Sequence, residues 1–201
     1  MNRLKFFLFS YLFCGLLYSN LYLCPPKGFN DLKKIIEKNS LQDLQTYFKK
    51  YETKKVVNYI ENNGLNLLHT ALAHTPQNKE IIKFLLDNGA NPNKRLLKTN
   101  MRYALNQGNF YKGWSAVHIA VSLNSPLEIL NLIHKNDGDF FLKDDDDFMP
   151  AELAFRYART EIIQWMHKKS FDFKKLKKHN CIKNTEPKSR KLYFKYVKNN
   201  S

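Results

Sequence analysis

The chain has 201 residues, a length that suits one domain with extensions better than two full domains. Its 43% hydrophobic content matches ordinary globular chains and rules out a sequence too polar to bury a core. The formal net charge is +15, from 33 Lys and Arg against 18 Asp and Glu, a balance that permits nucleic acid, anionic membrane or acidic protein as partner and selects none of them. The charge is uneven: from Lys168 to Ser201 twelve Lys and Arg face only Asp172 and Glu186, so +10 of the +15 lies there.

The first residues have the form of a targeting segment. Arg3 and Lys5 make a positive start, Phe6 to Tyr18 is apolar except for Ser10, and Ser19 and Asn20 lead to Pro25-Pro26. This is the pattern of a secretory signal, expected over 1–19 with Leu17-Tyr18-Ser19 as the cleavage tripeptide, followed by a linker over 20–29. An uncleaved anchor is the alternative, since Phe6 to Cys24 is barely long enough to span a bilayer. A buried soluble helix is the third reading. Cys14, Cys24 and Cys181 make no disulfide framework, although Cys24 and Cys181 remain available to pair after signal removal.

A helix pair is expected next, over Asp31–Lys38 and Leu41–Lys50, with Asn30 and Ser40 as N-caps. Then comes a motif that repeats. Gly64-Leu65-Asn66-Leu67-Leu68-His69-Thr70-Ala71 matches Gly113-Trp114-Ser115-Ala116-Val117-His118-Ile119-Ala120 position for position. A third copy runs Asp147-Phe148-Met149-Pro150-Ala151-Glu152-Leu153-Ala154. Each copy is followed by a second apolar helix pattern, beginning at Glu80, Glu128 and Glu161, and the first ends Asp87-Asn88-Gly89-Ala90-Asn91-Pro92-Asn93. Gly64 and Gly113 occupy turns that favour positive φ, Gly89 a helix C-cap, and Pro150 a first helical turn. Neither helix of a copy can bury its apolar face alone, so the copies are expected to stack and share a continuous core.

These residues resemble the ankyrin repeat, whose signature is T-P-L-H-x-A within about 33 residues. The resemblance covers roughly Asn30 to Phe173 and implies an all-α solenoid of about four stacked helix-turn-helix units over 30–173, with degenerate end units. His69 and His118 lie 49 residues apart, whereas His118 and its counterpart Glu152 lie 34 apart. The first gap therefore carries a long insertion, placed mainly at about 94–110, either a protruding finger or a cover. Met149 and Glu152 depart from the signature, which marks the third copy as closing or nearly so. A basic C-terminal tail is expected over 174–201.

No catalytic constellation accompanies the repeats. There is no G-x-S-x-G, P-loop, H-E-x-x-H or Cys-x-x-Cys, so no enzyme, cofactor or small-molecule substrate is expected. The resemblance implies a structural role for His69 and His118, with Ser115 as local partner of the latter. His74, His134 and His167 read as ordinary surface. The run Asp144-Asp145-Asp146-Asp147 lacks the spacing of an EF-hand loop and reads as a solvated turn rather than a metal site, with attraction of a basic partner as an equal use of its carboxylates.

The resemblance also implies where a partner would sit, on the hairpin tips and the concave face of the first helices. The residue after each turn glycine, or its counterpart, is expected to point outward there: Leu65, Trp114 and Phe148. Tyr111 and Lys112 flank the second tip, and Arg156 and Tyr157 fall on the exposed side of the third first-helix. These seven are the candidate partner-binding residues, with packing onto neighbouring turns as the competing account. In the tail, Lys interleaved with aromatics suits anionic lipid or nucleic acid; the competing account is an end cap whose Leu192, Phe194 and Tyr196 pack on the last unit. Two functions follow. The first is an exported, secreted or periplasmic, protein-binding module. The second is a membrane-tethered or anionic-surface-binding protein that uses the N-terminal apolar run and the basic tail.

Overall fold

The computed structural model describes residues 28–51, 56–60, 64–97, 101–102, 109–183 and 185–197. The expected signal or anchor, Cys14, Cys24, Lys98 and Tyr103 lie outside the described residues. No helix among the described residues is long and apolar enough to cross a membrane.

The described residues form helix pairs in a row. The helices are α1 Phe29–Glu37, α2 Leu41–Lys50, α3 Leu67–His74, α4 Lys79–Asp87, α5 Ala116–Ser122, α6 Leu127–Lys135, α7 Pro150–Arg156, α8 Thr160–Lys168, α9 Lys178–Ile182 and α10 Pro187–Tyr196. The first helices make an inner row in which α1 packs on α3, α3 on α5, α5 on α7 and α7 on α9. The second helices make an outer row, α4 on α6 and α6 on α8. The architecture is helical as expected, apart from one short ladder in which β1 Met101–Arg102 pairs antiparallel with β2 Asn109–Phe110.

The two rows have different sequences because they have different surroundings. An inner helix has neighbours on both sides, so it is apolar nearly all round: Leu67 to Ala73, Ala116 to Val121 and Pro150 to Phe155 are buried without a break. An outer helix turns one face to water and buries only a stripe, such as Ile81, Ile82, Leu85 and Leu86 on α4. Helix α4 ends at Gly89, φ +85°, where the Ala90 N–H donates to Leu85 O at 3.0 Å and the Gly89 N–H to Leu86 O at 2.9 Å, a Schellman closure. Ser40 caps α2 as expected, its Oγ accepting from the Asp43 N–H at 3.3 Å. Asn30 does not cap α1. The helix begins at Phe29 with Gly28 as N-cap, because the Phe29 ring is fully buried edge-on to Tyr59 at 5.0 Å and draws the start back one residue.

Between α4 and α5 the chain makes an extended hairpin. Arg95 bridges Ser115, the Leu96 N–H donates to Trp114 O at 2.7 Å, the Gly113 N–H donates to Leu96 O at 2.9 Å, and Met101 faces Phe110 further out. Leu96 and Phe110 are buried, so the lower part of the hairpin is packed rather than free-standing.

The segment from Phe173 continues the pile. A 3-10 turn at Phe173–Lys175 leads into α9 and α10, which pack on each other and on α7. Leu192 and Tyr196 are buried there as expected. Phe194 is not: it is 36% exposed and Tyr193 takes the inward place, because the turn of α10 that seats Tyr193 edge-on to Phe155 at 6.1 Å rotates its neighbour outward.

The hairpin turn and the helix stop respond differently to an added methyl group. A Cβ on Gly113, φ +82°, would meet the Asp145 backbone N at 2.5 Å, whereas one on Gly89 meets nothing within 4 Å. Gly89→Ala is expected to cost about 1 kcal/mol, from backbone strain alone. Gly113→Ala is expected to cost at least about 2 kcal/mol more, read as the difference in urea midpoints.

Candidate partner-binding cleft

One buried side chain near the start of each of the inner helices α3, α5 and α7 ties its unit to the next. In α3, the Asn66 N–H donates to His69 Nδ1 at 3.2 Å, and Asn66 Oδ1 accepts from the His69 N–H at 2.9 Å. A backbone N–H can only donate, so Nδ1 is an acceptor and Nε2 carries the proton. That Nε2 then donates to Lys94 O at 3.0 Å, across the next turn. In α5, His118 Nδ1 accepts from the Ser115 N–H at 3.1 Å and from Ser115 Oγ at 2.9 Å, and Nε2 donates to Phe148 O at 3.1 Å. Burial lowers both histidines to about 4, against the pull of the carbonyl to which each donates. They hold structure, as expected.

The third copy inverts this chemistry. Glu152 is fully buried where the others have His. Its Oε2 accepts from the Met149 N–H at 3.1 Å, completing its own helix start, and from Asn180 Nδ2 at 2.8 Å. Its Oε1 accepts from the Lys177 N–H at 2.6 Å. His reaches a carbonyl of the next hairpin; Glu reaches N–H donors of α9 and its lead-in. The substitution is therefore matched to a different following segment.

The aspartate run is consumed mostly by its surroundings. Asp144 is buried; its Oδ1 accepts from the Asp146 and Phe148 N–H groups at 2.9 and 2.8 Å, and its Oδ2 accepts from Trp114 Nε1 at 2.8 Å. Burial raises its pKa against the pull of those donors. Asp145 pairs with Arg95 at 2.5 Å and Lys112 at 3.2 Å. Asp147 pairs with Lys143 at 2.8 Å and with Lys177, whose two ammonium groups hold it down at about 2. Asp146 has neither a basic partner among the described residues nor the set of N–H donors that surrounds Asp144. Among the described residues no group of three His, Cys, Asp or Glu is placed to hold a metal ion.

These tips and the inner helix α7 enclose a cleft of about 350 Å³. Five of the expected residues line it: Tyr111, Trp114, Phe148, Arg156 and Tyr157. Asp144 and Asp146 of the aspartate run complete the wall with Leu153, which nothing in the motif marked. Tyr111 and Tyr157 are each 38% exposed, and the Arg156 guanidinium lies 5.1 Å over the Phe148 ring. Lys112 stands beside the cleft on Asp145. Arg156 and Tyr157 also line an adjoining hollow of about 410 Å³ with Ala158, Thr185 and Glu186, so the groove runs on toward the cap.

Two expectations are corrected. Leu65 is 0% exposed and Trp114 2%, so neither points outward. Trp114 lies under the next tip, where Asp144 takes its indole N–H and Phe110 and Tyr111 flank its ring at 6.1 and 5.1 Å. Phe148 is part-buried, intermediate between the two accounts. The reading of His134 as plain surface also fails, since its ring packs against Phe140, Trp165 and Phe171 at 5.2 to 6.1 Å.

Sequence reasoning missed a second tie between units. Asn58 Nδ2 donates to Gly89 O, and Asn58 Oδ1 accepts from the Asn91 N–H, both at 2.7 Å. Asn93 repeats the clasp one unit on, donating to Asp137 O at 2.8 Å and accepting from the Asp139 N–H at 2.7 Å. The only available signal was a pair of Asn residues one period apart, in a chain rich in Asn.

A family model described as ankyrin repeat matches residues 63–95. No curated protein is similar enough to count as a relative.

The depressed histidines set an acid limit. Their folded pKa of about 4 lies below the unfolded 6.5, so the stability they contribute is present above pH 6.5 and is lost as pH falls from 6.5 to 4. The loss is expected to be about 3 kcal/mol for each ring at most. Urea midpoints at pH 7 and 4.5 should differ less in His118→Gln than in the native chain. Glu152→Ala strands the N–H groups of Met149 and Lys177 and the Asn180 amide. A cost of about 3 kcal/mol is expected, with trypsin cutting first within α9 and α10.

Proposed function

The chain is an ankyrin-repeat protein, and from that premise we propose that it works by binding another protein and carries out no catalysis. Ankyrin repeats are typically non-enzymatic interaction modules. The partner docks on the hairpin tips and the inner-helix face. The observation that carries this reading is the cleft between the second and third tips. It is open, it is lined by Tyr111, Phe148, Arg156 and Tyr157, and it continues as a groove along the end of α7. Aromatic and arginine side chains around a hollow are the residue types that dominate binding energy at protein interfaces.

Four repeats make up the stack in this reading. The pair α1/α2 is a degenerate opening unit, α3/α4 and α5/α6 are the central ones, and α7/α8 closes the row with Glu152 in the histidine place. The hairpin between α4 and α5 is an insertion, and α9/α10 is a cap. The N-terminal segment exports the chain. The basic C-terminal region supports a second reading, contact with an anionic surface, because Lys174, Lys175, Lys178, Lys188, Arg190, Lys191 and Lys195 are all exposed, with the Lys178 ammonium 5.7 Å over the exposed Phe194 ring.

Recovery of partners by the native chain and by a Tyr111→Ala, Tyr157→Ala double variant tests the first reading. Both rings are well exposed, so the variant is expected to fold normally and to recover the partner at least about ten-fold less well. Equal recovery removes the cleft from consideration. Export is tested by intact mass from the native cell, where loss of about the first 19 residues is expected. Retention of those residues supports the tethered reading instead, and co-sedimentation of the chain with anionic but not neutral vesicles would support the basic-surface contact.

A further inference from the structure

The cleft carries information about the partner's chemistry. It lies in a chain of net charge +15, yet its open wall contains Asp146, which has no ion-pair partner among the described residues. The basic side chains nearby are engaged elsewhere: Arg95 and Lys112 on Asp145, Lys143 and Lys177 on Asp147. Arg156 lies against the Phe148 ring with its Nη1 toward Lys183 O. Asp146 is exposed and lines the cleft together with Tyr111 and Tyr157, whose ring carries the Arg159 guanidinium 5.7 Å over one side. Phe148 already holds a cation against its ring, through Arg156, so cation-on-ring packing is in use within this wall. An uncompensated carboxylate among electron-rich ring faces attracts a positive group by both charge and quadrupole.

We infer that the cleft receives a lysine or arginine side chain carried on an extended segment of the partner protein, held between Tyr111, Tyr157 and the carboxylate of Asp146. The inference rests on the reading of the chain as a protein binder. The extended form follows from the groove, which continues past Tyr157 to Glu186 and leaves room for residues on one side of the basic one. Most of the excess positive charge lies in the C-terminal cap, which repels a compact cationic domain, whereas a single side chain on a narrow segment reaches the Asp146 carboxylate. Asp146 thereby selects a basic residue on a surface that otherwise selects acidic ones.

Panning a random library of peptides about twelve residues long against the full chain tests this, because net charge and local charge forecast opposite results. Enrichment of peptides with one lysine or arginine is expected, against the +15 of the chain. In Asp146→Asn that enrichment should vanish, and a selected peptide should bind at least about five-fold more weakly with the melting temperature unchanged. Enrichment of acidic or uncharged peptides, or basic enrichment that persists in Asp146→Asn, overturns the inference. Absence of any enriched peptide also counts against it, since a segment is the claimed occupant. Acidic peptides that still depend on Tyr111 and Tyr157 would refute the cationic occupant and leave protein binding at the cleft standing. Peptides indifferent to both tyrosines would refute the two together.

Discussion

The stack depends on a buried polar side chain near the N-terminus of the inner helices α3, α5 and α7, bonded backward to its own helix start and forward to the segment that follows. Helices of seven or eight residues are too short to persist on their own, and burial strips their first N–H groups of water. His69 and His118 answer both needs with one neutral ring, whose two nitrogens are committed to opposite roles. Because each forward bond lands on the next turn, the position of one tip is set by the helix before it. Phe148 owes its place in the cleft to His118, through its carbonyl, and to Asp144, through its N–H.

The same logic explains how the row ends. A further unit would present a carbonyl to the inner helix, and a histidine would donate to it. Glu152 has no proton to give when ionised and requires donors, which the Lys177 N–H and the Asn180 amide supply. Asn180 is tied in turn to Asp147 O, and Ser189 donates to Arg156 O, so α9 and α10 are keyed to this one inner face. The cap turns its lysines outward and its Leu176, Cys181, Leu192 and Tyr193 inward. Burial pushes the Cys181 thiol far above its ordinary range, which leaves it an inert packing group.

Charge in the tips is arranged locally rather than by excess. Asp145 and Asp147 each sit between two basic groups drawn from the hairpin, the preceding loop or the cap, and so act as cross-links between neighbouring segments. Asp144 is spent on holding its own turn and the Trp114 indole. The cleft is what remains when these obligations are met: aromatic rings, one guanidinium and one carboxylate, Asp146, with no ion-pair partner among the described residues.

The helix pairs, their order, the structural histidines and the Gly89 stop were legible in the chain itself, because each rests on contacts within a few residues: a 3.6-residue apolar stripe, a cap three residues from its partner, a left-handed turn. Five of the seven expected binding residues also came together, since Tyr111, Trp114, Phe148, Arg156 and Tyr157 keep repeat-equivalent or adjacent places. Tertiary structure alone decided which side of a tip faces water. Leu65 and Trp114 occupy the same motif position as Phe148, yet both are buried, Trp114 beneath the tip that follows, and no local pattern records such cover. It also decided that Glu152 is a join rather than a lapse in the motif, because its donors lie 25 and 28 residues away. Periodicity reports what a residue needs from its own helix; what its neighbour brings is fixed only when the units are stacked.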